Sequence, residues 1–564
     1  MIATRPDRVS ASPAPPARRR PPGWRYLPGY LLFALAGLVL EIGWVMVWTL
    51  SYHLTHGNDF TYDYLVDYDV VWRRLYDLLV LADQLVPNIE PPQTLDILVN
   101  SLMVAFVVVA VGYLAAVILV DRGAVPLRGL VWLVLAFGAI YQVTLFFMPG
   151  LFTTDIFSYV MYGHISAIYD LNPYTYPPSY FPGNEMLDWI HPIWHDQTTV
   201  YGPLWTDIGW VVARLTVGLN SLEKVFAYKV LMNGIHLINL GLVWWLLGAM
   251  MPAARRARLT AFVLFAWNPL VLFDVVGNAH NDGLMVTGLL LGVVPLVRTW
   301  QGISNRSWLL GVICVGLSAL VKYTTAIVGL FYVVPWARQL ASWRARILWI
   351  SGAGLLMLAI TLMLFRPWLD SIDVVIGIAG AAERNLYSNS VPDLAALTLA
   401  DHVLDPNGLN PDATQELARN WAKWIMRGVF VVYVAWECVG LWRAQARGQR
   451  TTVDAILTAS ARAFLVLILA VLMWVLEWYF LWPLALVTLL GWERTLTKVT
   501  VAYTLTSLPV FYLHHYWSWH MSGGFVLLYA FPPLLIPCAA WLIERWHRFG
   551  QTHTAASVQQ LEPT

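Results

Sequence analysis

Apolar runs separated by short polar connections dominate this chain of 564 residues. Because a helix needs roughly 20 apolar residues to cross a bilayer, these runs predict about 14 membrane-spanning helices. A weaker run, 204–219, contains Asp207 and Arg214 and is predicted to lie at the interface or to re-enter rather than to span. The predicted spans lie near 28–50, 99–120, 129–148, 226–250, 259–276, 283–297, 307–321, 323–337, 347–365, 428–442, 456–476, 479–493, 499–513 and 523–543.

The distribution of Lys and Arg orients these helices, since cytoplasmic connections carry an excess of both. It predicts cytoplasmic ends and three outer loops, 51–98, 149–203 and 367–426. Loops 51–98 and 367–426 each carry eight acidic residues, against two and three basic ones. If 204–219 spans after all, the Arg255, Arg256 and Arg258 cluster lies outside and breaks the rule.

The pattern divides the chain into three parts. Residues 1–27, with six Arg and one Asp among many prolines, are predicted to be a disordered cytoplasmic tail. Residues 28–545 form one membrane-embedded, all-α domain, and 546–564 form a second cytoplasmic tail. Within the outer loops, 60–85 and 155–169 place apolar residues at helical spacing, which predicts amphipathic helices lying on the membrane.

The composition supports a membrane protein and argues against several other classes of protein. The chain is 58% hydrophobic and 12% charged, with a mean hydropathy of +0.59 and a net charge of +1. A soluble domain carries roughly twice that charged fraction, and a nucleic-acid-binding chain is basic. The three cysteines lie far apart in apolar segments, so neither a disulfide framework nor a zinc site is predicted. The phosphate-binding, dinucleotide-binding and hydrolase motifs are absent from the sequence.

Asp155 is the first candidate catalytic residue. It follows an apolar run, in a loop (149–203) that contains five acidic residues and no Lys or Arg. A partly desolvated carboxylate can remove the proton of a sugar hydroxyl at neutral pH. The alternative is structural, because Thr153, Thr154 and Asp155 precede a helical pattern and Asp155 could simply cap that helix.

A second cluster interrupts two predicted spans, where Asn278, His280, Asn281 and Asp282 stand close together in GNAHND. Polar groups at membrane depth usually line a functional cavity, although a plain turn between spans would look the same. The predicted topology puts this cluster on the same side as Asp155. His280 has no neighbouring ligand set, so no metal site is predicted.

Three cations could hold a phosphate. Lys322 stands alone between two apolar runs, where it could equally extend along the surface to reach water. Arg366 and Arg384 are predicted to face outside and could serve the same purpose. Displacement of a phosphate needs such positive charge because the departing oxygens become more negative. Glu477 is an outer carboxylate at the end of a predicted span.

Several of these segments together resemble the C-type glycosyltransferases. More narrowly, the chain is similar to the bacterial polyprenyl-phosphate-mannose-dependent α-1,6-mannosyltransferases. The resembling segments span about two thirds of the chain and are TDIFSYVMYG (154–163), NPY (172–174), YGPLW (201–205), NPLVL with GNAHNDGLM (268–285), LVKYT (320–324), RPW (366–368) and EWYFLWPLAL (477–486).

The resemblance implies inverting transfer of a hexose, mannose favoured, from a polyprenyl phosphate to a hydroxyl of an envelope glycan or glycolipid. The site would face outside, at the plasma membrane. Asp155 matches the family's catalytic carboxylate, and the donor phosphate would meet Lys322, Arg384 and Arg366. The other residues expected to bind substrate are Tyr159, Tyr201, His280, Asn281, Asp282 and Glu477.

No cofactor is expected beyond the lipid-linked donor, although a requirement for a divalent metal stays open.

Two other functions fit an outer polar site in a membrane protein. One is a transporter or flippase for a lipid-linked sugar, whose polar residues would form a column across the midplane. The other is a polymerase of envelope polysaccharide, which would need more cations for a diphosphate-linked donor.

Overall fold

The structure is a computed structural model that describes residues 27–56, 91–148, 151–299, 305–370, 374, 387, 390–447 and 449–517. Over this part the protein is helical and contains no β-strand. The helices are α1 Leu27–His56, α2 Pro91–Asp121, α3 Leu130–Phe146, α4 Asp155–Ala167, α5 Pro203–Leu215, α6 Ser221–Met250, α7 Arg255–Ala266, α8 Asp282–Thr299, α9 Asn305–Ala319, α10 Ala326–Gln339, α11 Trp343–Phe365, α12 Val391–Leu399, α13 Pro411–Ala444, α14 Gln449–Ala470, α15 Leu481–Leu490 and α16 Thr495–Trp517. Single helical turns lie between α4 and α5. Two π-helical segments form at Val271–Gly277 and Ala400–Leu404.

Six described helices are long and apolar enough to cross a membrane, or seven if one bent pair counts as a span. The prediction of an all-α, multi-pass membrane protein is therefore confirmed, whereas the predicted count of about 14 spans is not. Several predicted spans form shorter helices, including α3, α9 and the helix that ends with α15. The predicted span 523–543, both tails and segment 60–85 lie outside the described residues.

The predicted locations of two short helices, α5 and α4, have different outcomes. α5 has 13 residues, which is too short to cross a bilayer, in keeping with the interfacial prediction for 204–219. α4 forms where the amphipathic pattern predicted a helix, but the prediction that it lies on the membrane surface is wrong. Residues 156–167 are all buried, because the following loop and α5 cover the face that was expected to meet water.

The helix that should cross at 259–276 is broken, and this break shapes the centre of the protein. α7 ends at Ala266, just before Pro269, and the π-helical segment Val271–Gly277 continues at an angle of 50°. The side-chain oxygen of Asn268 accepts a hydrogen bond from the buried backbone N–H of Leu270 at 3.0 Å. Such a break is tolerated at membrane depth only where side chains satisfy the freed backbone groups.

Close contact between α1 and α2 depends on two glycines. A Cβ on Gly112 would lie 2.6 Å from the backbone nitrogen of Leu40 and 2.8 Å from the carbonyl oxygen of Ala36. A Cβ on Gly43 would lie 2.5 Å from a methyl group of Val109. Small residues at such crossings let two membrane helices approach closely enough for backbone packing.

We expect Gly112→Ala to destabilise the protein by about 1–3 kcal/mol, because α1 and α2 must move apart to admit the methyl group. Thermal unfolding in detergent would measure the loss. Gly428→Ala in α13 is the matched control, since a Cβ there meets nothing within 4 Å. Equal melting temperatures for both variants and the native protein would contradict the proposed role of Gly112.

Candidate active site

Asp155 is the first residue of α4, and its carboxylate does not serve as the helix cap. Thr154 occupies the cap position, and Asp155 Oδ2 instead accepts a hydrogen bond from the hydroxyl of Tyr201 at 3.2 Å. The Asp155 side chain is 18% exposed. The Asp155 carboxylate is therefore accessible from the space in front of α4. This favours a catalytic role for Asp155 over a helix-capping role.

Tyr201 is held in place by a close backbone contact. Gly202 N–H donates to the carbonyl oxygen of Val321 at 2.9 Å. A Cβ at Gly202 would lie 2.1 Å from the carbonyl oxygen of Leu320, so a larger residue cannot be accommodated there. This contact ties the end of loop 149–203 to the backbone just before Lys322. The glycine of the YGPLW motif thereby brings Tyr201 and Lys322 to the same place.

The predicted 278–282 cluster forms a buried turn behind Asp155. Ala279 adopts a left-handed conformation with φ of 56°, which reverses the chain between the π-helical segment and α8. His280 Nδ1 lies 3.6 Å from Asp155 Oδ2, and the His280 ring stacks on Trp478 with centroids 3.9 Å apart. The Asn278 side chain accepts from the backbone N–H of Phe152 at 3.1 Å, so the turn also holds the segment before α4.

Asp282 and Lys322 form a buried ion pair. Lys322 Nζ lies 2.5 Å from Asp282 Oδ2, and Trp482 Nε1 donates to Asp282 Oδ1 at 2.6 Å. The Asp282 side chain is fully buried, whereas that of Lys322 is 15% exposed. Lys322 thus neutralises Asp282 while part of its side chain stays accessible.

Asp155, Tyr201 and Lys322 all line one cavity of about 530 Å³. Tyr479 and Trp478 add aromatic surface to it, so the cavity combines one carboxylate, one amine and several rings. Small-molecule sites commonly combine aromatic surface with a few hydrogen-bonding groups in a concave site. Further lining side chains are Ser158, Tyr162, Trp194, Val200, Trp474 and Leu476.

Burial determines the protonation of the two groups nearest the turn. It raises the pKa of Asp155 to about 6, with Asp282 raising it further and Lys322 and Tyr201 opposing the rise. Burial lowers the pKa of His280, and Lys322 lowers it further, so this imidazole is neutral. Asp155 is therefore ionised at neutral pH but close enough to its pKa to accept a proton.

The remaining predicted residues take different positions. Tyr159, Asn281 and Glu477 are buried beside the cavity and do not line it. Asn281 N–H donates to the Tyr159 hydroxyl at 3.4 Å, and Tyr512 donates to Glu477 Oε1 at 2.8 Å. Their predicted contact with substrate stays a prediction.

The predicted phosphate-binding cations do not all come together. Lys322 lines the cavity, whereas Arg366 caps the exposed end of α11 and is not among the lining residues. Arg384 lies outside the described residues. The sequence reading missed Lys423 and Arg427 of α13, which do line the cavity. Their four-residue spacing on one helical face was a signal, since it places both side chains on the same side.

Residues 79–338, a little under half of the chain, match the family described as alpha-(1→6)-mannopyranosyltransferase, N-terminal domain. This segment contains Asp155, Tyr201, the 278–282 turn and Lys322. The chain resembles the mannopyranosyltransferases. That resemblance was expected from the motifs, and it is confirmed.

Individual mannopyranosyltransferases match over part of their length. Alpha-(1→6)-mannopyranosyltransferase A of Mycobacterium tuberculosis is 29% identical over 61% of this chain and 62% of its own length. The enzyme of the same name from Corynebacterium glutamicum is 28% identical over 33% of this chain and 35% of its own. The chain thus spans less than two thirds of these relatives.

One solved structure also overlaps this chain, the archaeal oligosaccharyltransferase AglB from Archaeoglobus fulgidus in complex with an inhibitory peptide and a dolichol-phosphate. It covers 72% of this chain and 55% of its own, with 14% identity and a TM-score of 0.35. At that TM-score the overlap carries no weight for the fold or the site.

We expect Lys322→Met to destabilise the protein by about 3 kcal/mol, because it leaves the fully buried Asp282 carboxylate without its counter-charge. Adding Asp282→Asn should recover a large part of that loss. Thermal unfolding in detergent would compare both with Arg494→Met, which breaks an exposed pair with Asp454 and should cost about 0.5 kcal/mol or less. If Lys322→Met and Arg494→Met lost the same stability, the buried pair would not hold the site together.

Proposed function

We propose that the protein is an inverting glycosyltransferase that moves a hexose, mannose favoured, from a polyprenyl phosphate to a glycan or glycolipid hydroxyl. The observation that carries this proposal is the single cavity shared by Asp155, Tyr201 and Lys322. The mannopyranosyltransferase resemblance, which covers all three residues, supports mannose as the sugar. In the proposal the cavity faces the outside of the plasma membrane.

Asp155 is the general base of the proposed reaction. The acceptor hydroxyl lies against its carboxylate and gives up its proton to Asp155 as the hydroxyl oxygen attacks the anomeric carbon. The bond between that carbon and the phosphate oxygen breaks, and its electron pair leaves with the polyprenyl phosphate. Attack from the face opposite the leaving group inverts the configuration at the anomeric carbon.

The leaving phosphate needs no general acid, because a phosphate monoester oxygen is already weakly basic. It needs positive charge close by as its oxygens become more negative. Lys322 can supply part of that charge through its accessible side, although Asp282 already neutralises much of it. His280 is neutral and stacked on Trp478, so its proposed role is to shape the wall behind Asp155.

One observation supports the alternative of a transporter, and a physical reason weighs against it. α6 carries a buried polar stripe of Lys229, Asn233, His236 and Asn239, which runs along a predicted span. Both amides of this stripe are hydrogen-bonded, however, since Asn233 donates to the Val276 carbonyl at 3.2 Å and Asn239 donates to the Gly283 carbonyl at 2.8 Å. These two side chains satisfy backbone carbonyls next to the broken helix, which supports a structural role for the stripe over a transport path.

We expect Asp155→Asn to lower transfer by about 10²–10⁴-fold, because asparagine cannot accept the hydroxyl proton. The measurement is transfer of radiolabelled mannose from polyprenyl-phosphomannose to endogenous acceptors in membranes, at matched protein levels. Asp188→Asn, an acid in the same loop that is not among the lining residues, is the control and should transfer normally. Undiminished transfer by Asp155→Asn would remove this residue from the base role.

The pH dependence of transfer gives a second test of the base. Since the pKa of Asp155 is about 6, the carboxylate is the active form above that pH, and the rate should fall as pH drops through 6. Tyr201→Phe removes a hydrogen bond that stabilises this carboxylate, so the acid limb should move upward by roughly half a pH unit or more. Tyr162→Phe is the control, because Tyr162 donates to the Gln197 carbonyl and should not move the midpoint. If Tyr201→Phe left the midpoint of the acid limb unchanged, a group other than Asp155 would set that midpoint.

A further inference from the structure

A second cavity of about 520 Å³ lies at the opposite end of α4 from Asp155, and the proposed chemistry does not use it. Ser166 of α4 and Asp207 of α5 line this second cavity. So do Asn172 of the NPY motif and Trp368 of the RPW motif, two segments to which the proposed reaction gives no role. The two motifs are 196 residues apart in the chain and meet around one concave space, which is the usual form of a small-molecule site.

Direct hydrogen bonds hold the wall of the second cavity together. The side-chain amide of Asn172 donates to the carbonyl oxygen of Trp368 at 2.7 Å and to Asp370 Oδ2 at 3.0 Å. The Trp368 indole in turn donates to Asp207 Oδ1 at 2.9 Å. These contacts join loop 149–203, α5 and the segment after α11. The polar groups of the second cavity are therefore held in place before any ligand binds, which lowers the entropic cost of binding.

The two cavities lie along one face of α4. Asp155, Ser158 and Tyr162 line the first cavity, and Ser166 lines the second. Steps of three and four residues place these four side chains on the same side of a helix. Ser166 lies eleven residues after Asp155 in α4, which corresponds to about 16 Å along an α-helix. A short oligosaccharide is long enough to reach from one end of this face to the other.

The charged groups that line the second cavity are carboxylates. Asp170, Asp207 and Asp370 line it, and no Lys, Arg or His is among its described lining residues. Burial raises the pKa of Asp207 to about 6 and the hydrogen bond from Trp368 opposes the rise, so this carboxylate is ionised at neutral pH. Such a wall repels an anion such as a lipid phosphate, whereas the hydroxyl groups of a neutral sugar can donate to it.

Two further observations favour a sugar over a cation. Within the part of the chain that the structure describes, no three His, Cys, Asp or Glu side chains are grouped in a way that could hold a metal ion. The wall also contains aromatic surface, because Trp210 is 39% exposed and Arg214 Cζ lies over its ring, 5.4 Å from the centroid. Aromatic surface beside a few hydrogen-bond acceptors suits a ligand that has both apolar C–H groups and hydroxyl groups.

We propose that the second cavity binds a neutral saccharide, namely the part of an acceptor glycan that lies beyond the reacting sugar residue. Asp170, Asp207 and Asp370 accept hydrogen bonds from its hydroxyl groups, and Trp210 packs against a sugar ring. This inference rests on the proposed glycosyltransferase function and assigns part of its acceptor site. A glycan bound in this way extends along α4 with its reacting end at Asp155, so the enzyme prefers an acceptor of several sugar residues to a single sugar.

Binding of an oligosaccharide tests the second cavity without requiring transfer. The full-length protein in lipid nanodiscs is titrated with α-1,6-linked mannotetraose. Asp170→Asn and Asp207→Asn should each weaken binding about tenfold, because each replaces a charge-assisted hydrogen bond by a weaker one. Asparagine keeps the size of Asp170 and tolerates the left-handed φ of 55° at this position, so the fold is preserved. Asp196→Asn, an acid of loop 149–203 that lines neither cavity, should change binding less than twofold.

Transfer to a long and a short acceptor distinguishes glycan binding from a purely structural role. With mannotetraose, Asp170→Asn should raise KM about tenfold at unchanged kcat, because it removes binding that does not change during the reaction. With an alkyl mannoside of one sugar residue, KM and kcat should both stay within twofold of native values. Equal losses with both acceptors would overturn the proposed site.

A calcium titration tests the alternative of a cation site. Millimolar calcium chloride should leave mannotetraose bound, because the second cavity is proposed to take a neutral ligand. Displacement of mannotetraose by micromolar calcium from the native protein, combined with no calcium binding by Asp170→Asn, would overturn the assignment to a sugar.

The failure of this inference and the failure of the proposed function give different results. If the native protein bound mannotetraose and both Asn variants lost it, but the native protein transferred no mannose, the saccharide site would be supported and the transferase contradicted. If the native protein transferred mannose and both Asn variants bound mannotetraose normally, the transferase would be supported and the saccharide site contradicted.

Discussion

The ion pair between Asp282 and Lys322 is the contact on which the site depends. Asp282 is the first residue of α8 and is fully buried, so its charge is tolerated only because Lys322 and the Trp482 indole both contact the carboxylate. These three side chains come from separate segments of the chain. The pair therefore fixes the end of the 278–282 turn against the segment after α9, and Gly202 joins that segment to the loop that carries Tyr201.

The broken helix ahead of the turn explains why so many buried polar groups gather here. A π-helical segment and a left-handed residue release backbone groups that an unbroken span would satisfy internally. The side-chain amides of Asn233 and Asn239 on α6 satisfy two of these groups, because they donate to the carbonyl oxygens of Val276 and Gly283. Both carboxylate oxygens of Asp274 and the side-chain amide of Asn281 are nevertheless buried with no hydrogen-bond partner among the described residues. Unsatisfied polar groups at membrane depth are costly, yet neither Asp274 nor Asn281 lines the Asp155 cavity.

Much of this site could be predicted from the sequence, and the failures have clear physical causes. Asp155, the 278–282 turn and Lys322 could be expected together because membrane topology restricts polar residues to a few levels. Arg366 looked equivalent to Lys322, but hydropathy fixes only a depth and not a direction around the helix. Lys423 sits in a mixed polar segment before a span, where its burial depends on the packing of α13 against α14. The apolar face of α4 marked burial inside the protein instead of contact with lipid, since both environments select the same side chains.

Asp155 faces two opposing demands in the proposed reaction. As a base it must be ionised, yet its negative charge repels the phosphate of the donor that shares its cavity. Burial alone would favour the neutral acid, and Asp282 adds to that tendency, while Lys322 and Tyr201 keep the carboxylate charged near neutral pH. In the proposed reaction Lys322 meets part of both demands, because its positive charge favours the ionised form of Asp155 and its exposed part lines the cavity that the phosphate would enter.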